Sequence, residues 1–169
     1  MYVKNQLGLP LKELGLADDD LVVMMDMDEV VSGRHMYYLR NYEHLSGSTA
    51  FKIGLRWSYY GFEWVNPELT VVNAVVSWLQ FRSVCGMKAN AVRYNLCGLD
   101  GAGTLSVVGW HCSWCFAETR QFLSKIDRSS KLEDNQERFK DVKFLQDQRD
   151  RGLWFVDSAP NGCYSSVIK

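Results

Sequence analysis

The feature that most constrains this chain is an apolar run, Leu21 to Met25, followed immediately by Asp26-Met27-Asp28-Glu29. Such a run is typical of a strand buried on both faces in the centre of an α/β sheet. Carboxylates crowded at its end repel one another and lose hydration, so they need a compensating charge. In an extended chain Asp26 and Asp28 point the same way, and two carboxylates suit a hard cation such as Mg²⁺ or Mn²⁺. The alternative interpretation is a solvated acidic turn that caps the next helix.

The composition is that of a globular protein without a strong charge bias. The 169 residues are 47% hydrophobic and carry a formal net charge of −1, which predicts a single domain over residues 1–169 and argues against a broad nucleic-acid-binding surface. No apolar run approaches the roughly 20 residues that span a bilayer, and the N-terminus has no apolar signal-peptide core. We therefore expect either a cytoplasmic protein or one whose upstream targeting segment lies outside this chain. Three scattered cysteines are expected to be small buried residues or free thiols: Cys85, Cys97 and Cys163.

Predicted strands and helices alternate along the chain, which indicates an α/β fold. Helices are predicted over residues 34–45, 116–126 and 134–148, the last with an apolar stripe among charged residues. Strands are predicted over 21–25, 49–64, 90–97 and 104–110, with a β-branched apolar stretch over 69–79. Asn66-Pro67 is predicted to form a turn.

A second motif, Gly-Trp-His-Cys-Ser-Trp-Cys-Phe from Gly109 to Phe116, closes one predicted strand and opens a helix. Ligands often bind at such a junction. Cys112 and Cys115 beside His111 are compatible with zinc, although no second Cys/His pair lies nearby to complete four ligands. A thioredoxin-like redox pair is a second interpretation. In a third, His111 is a metal ligand or phosphate contact, and the neighbouring tryptophans either shape a pocket or belong to the core.

Three segments carry a resemblance to a known family: Asp26-Met27-Asp28-Glu29, Tyr60-Gly61-Phe62-Glu63-Trp64 and the motif from Gly109 to Phe116. In order and rough spacing they resemble glycosyltransferase family 17, the family of β-1,4-mannosyl-glycoprotein 4-β-N-acetylglucosaminyltransferase. The resemblance extends from about residue 5 to about residue 157. Its specific part is the Trp-His-Cys-Ser-Trp-Cys-Phe string, because many metal enzymes share an Asp-x-Asp motif.

The resemblance implies a GT-A-like fold, which is a mostly parallel sheet flanked by helices that binds a nucleotide-sugar. Asp26 and Asp28 match the family's Asp-x-Asp and would hold Mn²⁺ or Mg²⁺ against the diphosphate of UDP-GlcNAc, and His111 would join the metal shell. Trp110 and Trp114 would contact the donor. The implied acceptor is a mannose of an N-glycan. The implied location is the Golgi lumen if an upstream membrane anchor exists.

The implied product is a β-1,4-glycoside formed from an α-linked donor, so the reaction inverts the anomeric configuration. Inversion requires a general base that takes the proton from the acceptor hydroxyl on the face opposite UDP. We predict Glu63 as this base in preference to Glu29. The competing interpretation of Glu63 is an ordinary exposed glutamate on a strand edge.

The chain also departs from the family pattern, and two other functions stay open. Only 25 residues precede Asp26, where a GT-A enzyme usually has its uridine-binding half. We therefore expect a partial domain that lacks part of the N-terminal nucleotide-binding half. In a haloacid-dehalogenase-like phosphatase, Asp26 would be the nucleophile and Asp28 the general acid. A non-catalytic remnant of the transferase would bind the donor without turnover.

Overall fold

The computed structural model describes residues 5–42, 50–98, 103–129 and 135–156. The strands in these ranges are β1 (Leu21–Val23), β2 (Glu29–Val31), β3 (Phe51–Tyr59), β4 (Val65–Ser77) and β5 (Thr104–Ser113). The helices are α1 (Gly8–Lys12), α2 (Gly33–Tyr42), α3 (Trp78–Ser83), α4 (Ala89–Arg93), α5 (Thr119–Arg128) and α6 (Val142–Arg151), with a 3₁₀ turn at Glu137–Phe139. None of these described helices is long and apolar enough to cross a membrane.

The described strands form one sheet in the order β1-β4-β3-β5-β2. β1 pairs antiparallel with the end of β4, so that Leu21 lies opposite Ser77. The prediction that the apolar run lies in the centre of the sheet is wrong, because β1 is an edge strand of the described sheet. Its apolar residues are covered by helices instead: Val22 packs in one buried cluster with Trp78 and Phe81 of α3.

The other neighbouring strands show that the sheet is mixed. Residues 60–64 join β3 to its neighbour β4, and so short a connection makes the pair antiparallel. The amide of Lys52 donates to the carbonyl of Gly103, and the amide of Tyr60 donates to the carbonyl of Ser113. Because residue numbers rise together along both strands, β3 and β5 run in the same direction. The α/β class is therefore confirmed, whereas the sheet contains antiparallel pairs where a mostly parallel one was predicted.

The chain divides into two compact units. Unit 1 comprises Met1–Leu55 and Thr70–Trp110, and unit 2 comprises Arg56–Leu69 and His111–Lys169. Unit 1 buries mainly aliphatic side chains around its strands, including Leu39, Ile53, Leu55, Val75 and Val108. Unit 2 buries mainly aromatic side chains, including Tyr59, Tyr60, Trp114, Phe122, Phe139 and Phe155. The single domain predicted over residues 1–169 stays a prediction.

Two helices of unit 2 begin and end at residues whose local chemistry explains the boundary. The Asp141 carboxylate accepts a hydrogen bond from the amide of Lys143 at 2.8 Å and starts α6, and Gly152 ends it in the left-handed conformation with φ 65°. Glu118 and Gln121 form a reciprocal capping box at the start of α5. The helix predicted over 134–148 is therefore displaced, because the cap at residue 141 sets its start.

The prediction of a strand over residues 90–97 is wrong. Residues 89–93 form α4 and a turn follows. That turn brings Cys97 back to Cys85, and the two form a disulfide with Cα atoms 5.1 Å apart. Cys85 is buried as predicted, but the alternative of free thiols is wrong for these two residues, because tertiary folding joins cysteines that lie 12 positions apart. Cys163 lies outside the described residues.

The turn predicted at Asn66-Pro67 is also displaced. Both residues lie in β4, and the chain reverses earlier, over residues 60–64, where Tyr60 adopts a φ of 61°. Proline has no backbone N–H group, whereas a strand in the centre of a sheet uses its N–H groups to pair with the strands on both sides. Pro67 is tolerated in β4 because β1 pairs only with Val75–Ser77, at the far end of the strand.

Candidate functional site

Asp26, Asp28 and Glu29 lie together at residues 26–29, which form a tight turn that we call the carboxylate turn. The amide of Glu29 donates to the carbonyl of Asp26 at 3.0 Å, and the amide of Asp26 donates to the Glu29 carboxylate at 2.9 Å. The extended backbone predicted for residues 26–28 is wrong, because these hydrogen bonds close a turn. The side chains of Asp26 and Asp28 are both partly exposed.

Arg93, at the end of α4, supplies positive charge to the carboxylate turn. Its guanidinium forms an ion pair with Glu29, lies 3.4 Å from the Asp26 carboxylate, and donates to the carbonyl of Met24 at 3.4 Å. The Glu29 side chain is only 2% exposed and that of Arg93 only 13%, so this is a buried pair. Sequence reasoning missed Arg93, although the need for a charge that compensates crowded carboxylates was a valid signal for it.

The carboxylate turn has the donor chemistry of a hard-cation site. The Asp26 side chain is 39% exposed, and Mg²⁺ or Mn²⁺ commonly takes one or two protein carboxylates and completes its shell with water and phosphate oxygens. In the described part of the chain, no three His, Cys, Asp or Glu side chains come together as a metal site. The predicted binding of one ion by Asp26, Asp28 and His111 stays a prediction.

A cavity of about 390 Å³ opens beside the carboxylate turn within unit 1. Its walls are mainly apolar and come from α1, β1 and the helices that cover them, with Leu11, Val22 and Phe81 among them. Asp26 and Arg93 supply its charged groups. Its volume lies within the range of small-molecule pockets, and a few polar groups in an apolar wall are typical of such sites.

The second motif begins with a glycine that the sheet requires. A Cβ atom at Gly109 would overlap the carbonyl of Val30 in the neighbouring strand β2, so only glycine lets the two backbones approach this closely. The motif continues β5 as far as Ser113. His111 therefore lies within the strand, not at its end as predicted.

His111 belongs to a polar cluster in unit 2 that was not predicted. Its imidazole stacks on the indole of Trp57 with ring centroids 6.0 Å apart and planes 5° apart. The indole Nε1–H of Trp57 donates to Ser113 Oγ at 3.0 Å, and His111 Nε2 lies 3.1 Å from the same oxygen. Because a hydroxyl oxygen can accept and donate at once, Ser113 links the two rings. No sequence pattern indicated that Trp57 would meet a motif more than 50 residues away.

The two tryptophans predicted to contact the donor have different surroundings. Trp110 is 43% exposed and belongs to unit 1. Trp114 is 5% exposed and belongs to unit 2, where it stacks on Phe122 and contacts Phe155 edge-on. Of the pair, Trp110 is the one with a face open to a ligand, and Trp114 is part of the aromatic core that supports the end of β5.

Glu63, the preferred candidate base, is exposed and lies in the turn that joins β3 to β4. Its carboxylate lies against Gly61, where any Cβ atom would overlap it. Glu29, the other candidate, is buried and paired with Arg93. Of the two carboxylates, Glu63 is therefore the one open to solvent, and the assignment of the base stays a prediction.

Cys112 and Cys115 are joined by a disulfide with Cα atoms 5.6 Å apart. Zinc binds thiolates, and a disulfide has none to offer. The pair encloses Trp114, which adopts a φ of 62°. The disulfide therefore closes a short loop around the core tryptophan.

Comparison with known proteins places this geometry in context. The family model described as glycosyltransferase family 17 matches residues 1–166. The chain is 22% identical over 162 residues to a Mus musculus protein named beta-1,4-mannosyl-glycoprotein 4-beta-N-acetylglucosaminyltransferase, covering 83% of this chain and 30% of that protein. It is 26% identical over 119 residues to the Homo sapiens protein of the same name, covering 60% and 22%. The chain thus spans less than a third of the length of these relatives. No solved structure matches it.

Proposed function

Because this chain belongs to glycosyltransferase family 17, we propose that it forms part of an enzyme that transfers N-acetylglucosamine from UDP-GlcNAc to a mannose of an N-glycan. The observation that carries the proposal is the family match over residues 1–166. The names of the relatives support the β-1,4 linkage. Neither comparison favours the haloacid-dehalogenase-like phosphatase. A GT-A-like arrangement of the nucleotide-binding elements is part of the same proposal.

We assign Asp26 and Asp28 to a divalent cation, Mn²⁺ or Mg²⁺, with His111 as a further ligand. When bound, the ion would neutralise the charge that develops on the departing UDP. The partial exposure of both carboxylates and the cavity beside Asp26 support this assignment. The apolar walls of the cavity suit the uridine end of UDP. The exposed face of Trp110 suits a further contact with the donor. Trp114 contributes indirectly to this donor contact, as part of the core that supports the end of β5.

We assign Glu63 as the general base of an inverting transfer. The acceptor oxygen forms a bond to the anomeric carbon of GlcNAc while the bond from that carbon to the UDP oxygen breaks, and Glu63 receives the hydroxyl proton. The exposure of Glu63 supports this role, since an acceptor must reach it. Glu29 is less suited, because its carboxylate is already bonded to Arg93 and to the amide of Asp26.

We also propose that the protein works in an oxidising lumen, such as that of the Golgi. Two disulfides support this, Cys85–Cys97 and Cys112–Cys115, because disulfides are rare where glutathione keeps thiols reduced.

The test measures Mn²⁺-dependent UDP binding by calorimetry and UDP release from UDP-GlcNAc with the purified chain. We expect Asp28→Asn to abolish Mn²⁺-dependent binding, because it removes an anionic ligand. Asp19→Asn is the matched control, since Asp19 is an exposed carboxylate outside the carboxylate turn.

Three results would contradict the proposal in different ways. Equal Mn²⁺–UDP affinity in Asp28→Asn would exclude the metal assignment. Hydrolysis of phosphate esters in place of UDP-GlcNAc would favour the phosphatase. Binding of UDP-GlcNAc without release of UDP, even when an N-glycan acceptor is added, would favour a non-catalytic remnant.

A further inference from the structure

We infer that Arg93 and Glu29 are positioning residues that hold Asp26 in the carboxylate turn so that its carboxylate can bind the cation. This inference rests on the proposed metal role of Asp26. It gives Glu29 a different role from that of a base and gives Arg93 a role that no sequence motif indicated.

The first support is the set of groups that Arg93 contacts. Its guanidinium reaches the Glu29 carboxylate, the Asp26 carboxylate at 3.4 Å and the carbonyl of Met24 at 3.4 Å. All three belong to the segment that leads out of β1 through the carboxylate turn. A guanidinium is a planar fork with five N–H donors, so one side chain can fix several points of this segment at once.

The second support is the position of Glu29. Its carboxylate accepts from the amide of Asp26 at 2.9 Å through one oxygen and from Arg93 through the other. Both oxygens of this buried side chain are thus engaged in holding the turn. A carboxylate in this position fixes the backbone of Asp26, and it is poorly placed to receive a proton from a substrate.

The third support is the unequal burial of the two ion pairs. The side chains of Arg93 and Glu29 are both buried, whereas the Asp26 carboxylate is 39% exposed and lies 3.4 Å from the guanidinium. Solvent and salt screen a buried ion pair less than an exposed one. The Glu29 pair is therefore the fixed anchor, and Asp26 is held beside it with its carboxylate still open to solvent.

Positioning and simple charge repulsion predict opposite effects when Arg93 is removed. If Arg93 only repels the cation, its loss strengthens Mn²⁺ binding, because a nearby positive charge disappears. If Arg93 positions Asp26, its loss weakens Mn²⁺ binding. Removing groups that hold metal-ligating side chains typically lowers metal affinity by about 10–100-fold.

The experiment compares four variants with the parent chain: Arg93→Lys, Arg93→Met, the double variant Arg93→Met/Glu29→Leu, and Arg82→Met. The double variant avoids leaving a buried unpaired carboxylate, which threatens folding in the single Met variant. Arg82→Met is the matched control, because Arg82 is a partly exposed arginine of α3 paired with Asp18. Each folded variant is assayed by calorimetry with Mn²⁺ and UDP, and by amide hydrogen exchange at Asp26.

We expect Arg93→Met and the double variant to bind Mn²⁺–UDP about 10–100-fold more weakly and to exchange the Asp26 amide faster. Arg93→Lys should recover part of both, and Arg82→Met should match the parent. If the parent binds Mn²⁺–UDP and every folded Arg93 variant binds it equally or more tightly, the inference is overturned and the proposed metal site stands. If the parent shows no Mn²⁺–UDP binding, the metal assignment fails; faster exchange at Asp26 in the Arg93 variants would still establish that Arg93 holds the turn.

Discussion

The indole of Trp57 and the imidazole of His111 lie parallel, and both rings are hydrogen-bonded to the hydroxyl of Ser113. An indole N–H can only donate, so Ser113 Oγ accepts from Trp57. Ser113 Oγ can then donate its own proton to His111 Nε2, which lies 3.1 Å away, or accept a second hydrogen bond from it. We predict the first arrangement, in which a neutral imidazole carries its proton on Nδ1.

The first prediction concerns this tautomer. Nitrogen NMR of the purified protein without metal should show neutral His111 with the proton on Nδ1. Ser113→Ala should change this NMR signal of His111. It should also leave the indole N–H of Trp57 without its acceptor, which should lower the free energy of unfolding by about 1–3 kcal/mol. Ser113→Thr keeps a hydroxyl and is the control. A proton on Nε2 in the parent protein would mean that Ser113 only accepts in this cluster.

The second prediction concerns Gly152, which ends α6 with φ 65° and where a Cβ atom would overlap the ring of Trp64. Gly152→Ala should lower the free energy of unfolding by about 2–5 kcal/mol, because it combines left-handed strain with overpacking. Gly15→Ala is the control: Gly15 has φ 64° but no neighbour within 4 Å of the added Cβ, so it should lose only about 1–2 kcal/mol. Urea titration of both variants checks this, and equal losses would show that Trp64 moves aside freely.

The third prediction compares the two disulfides. Cys85 and Cys97 lie 12 residues apart, and Cys112 and Cys115 lie three apart. On the chain-entropy model these loops stabilise the folded state by about 2.8 and about 1.6 kcal/mol. Replacing each pair by alanines should therefore cost more for Cys85/Cys97 in a denaturant titration. A larger loss for Cys112/Cys115 would indicate that the short disulfide stabilises mainly through the geometry around Trp114.

The fourth prediction concerns alkaline pH. Burial raises the pKa of Tyr60 above its ordinary value, and its hydroxyl donates to the carbonyl of Leu153 at 2.7 Å. The unfolded chain loses this proton near pH 10 while the folded chain keeps it. The stability due to this group is therefore fully present below about pH 10 and is lost as the pH rises further.

Tyr60→Phe should accordingly be less stable than the parent at pH 8, by about 0.5–1.5 kcal/mol, yet lose less stability between pH 10 and 11. Tyr37→Phe is the control, because Tyr37 is 60% exposed. Urea titrations across this pH range measure both effects. If the free energy of unfolding fell equally steeply with pH in Tyr60→Phe and in the parent, Tyr60 would not stay protonated in the folded protein.

Local patterns predicted the elements that have local causes. The helix predicted over 34–45 is observed as α2 up to Tyr42, and residues 43–45 lie outside the described residues. The strand predicted over 104–110 is observed as β5, which continues to Ser113. The strand predicted over 90–97 failed because α4 and the turn after it pack in unit 1 with Cys97 bonded to Cys85. Apolar periodicity in so short a segment does not separate a strand from a helix.

The candidate site, too, was predictable only in the part that depends on neighbouring residues. An apolar strand followed by crowded carboxylates is a local signal, and it led to Asp26, Asp28 and the need for a compensating charge. The residue that supplies part of this charge, Arg93, lies 64 positions from Glu29. No local pattern could select one arginine among the others, because the selection depends on where α4 packs.

By itself, the sequence determined the features that neighbouring residues control: the carboxylates that follow β1, the approximate positions of α2 and β5, and the motifs that resemble the family. Tertiary structure alone decided that Glu29 is buried against Arg93, that Cys85 pairs with Cys97, and that Trp57 stacks on His111. The physical reason is the range of the interactions. Turns and caps are hydrogen-bonded within a few residues, whereas a buried ion pair or a ring stack forms only after distant segments have packed and excluded water.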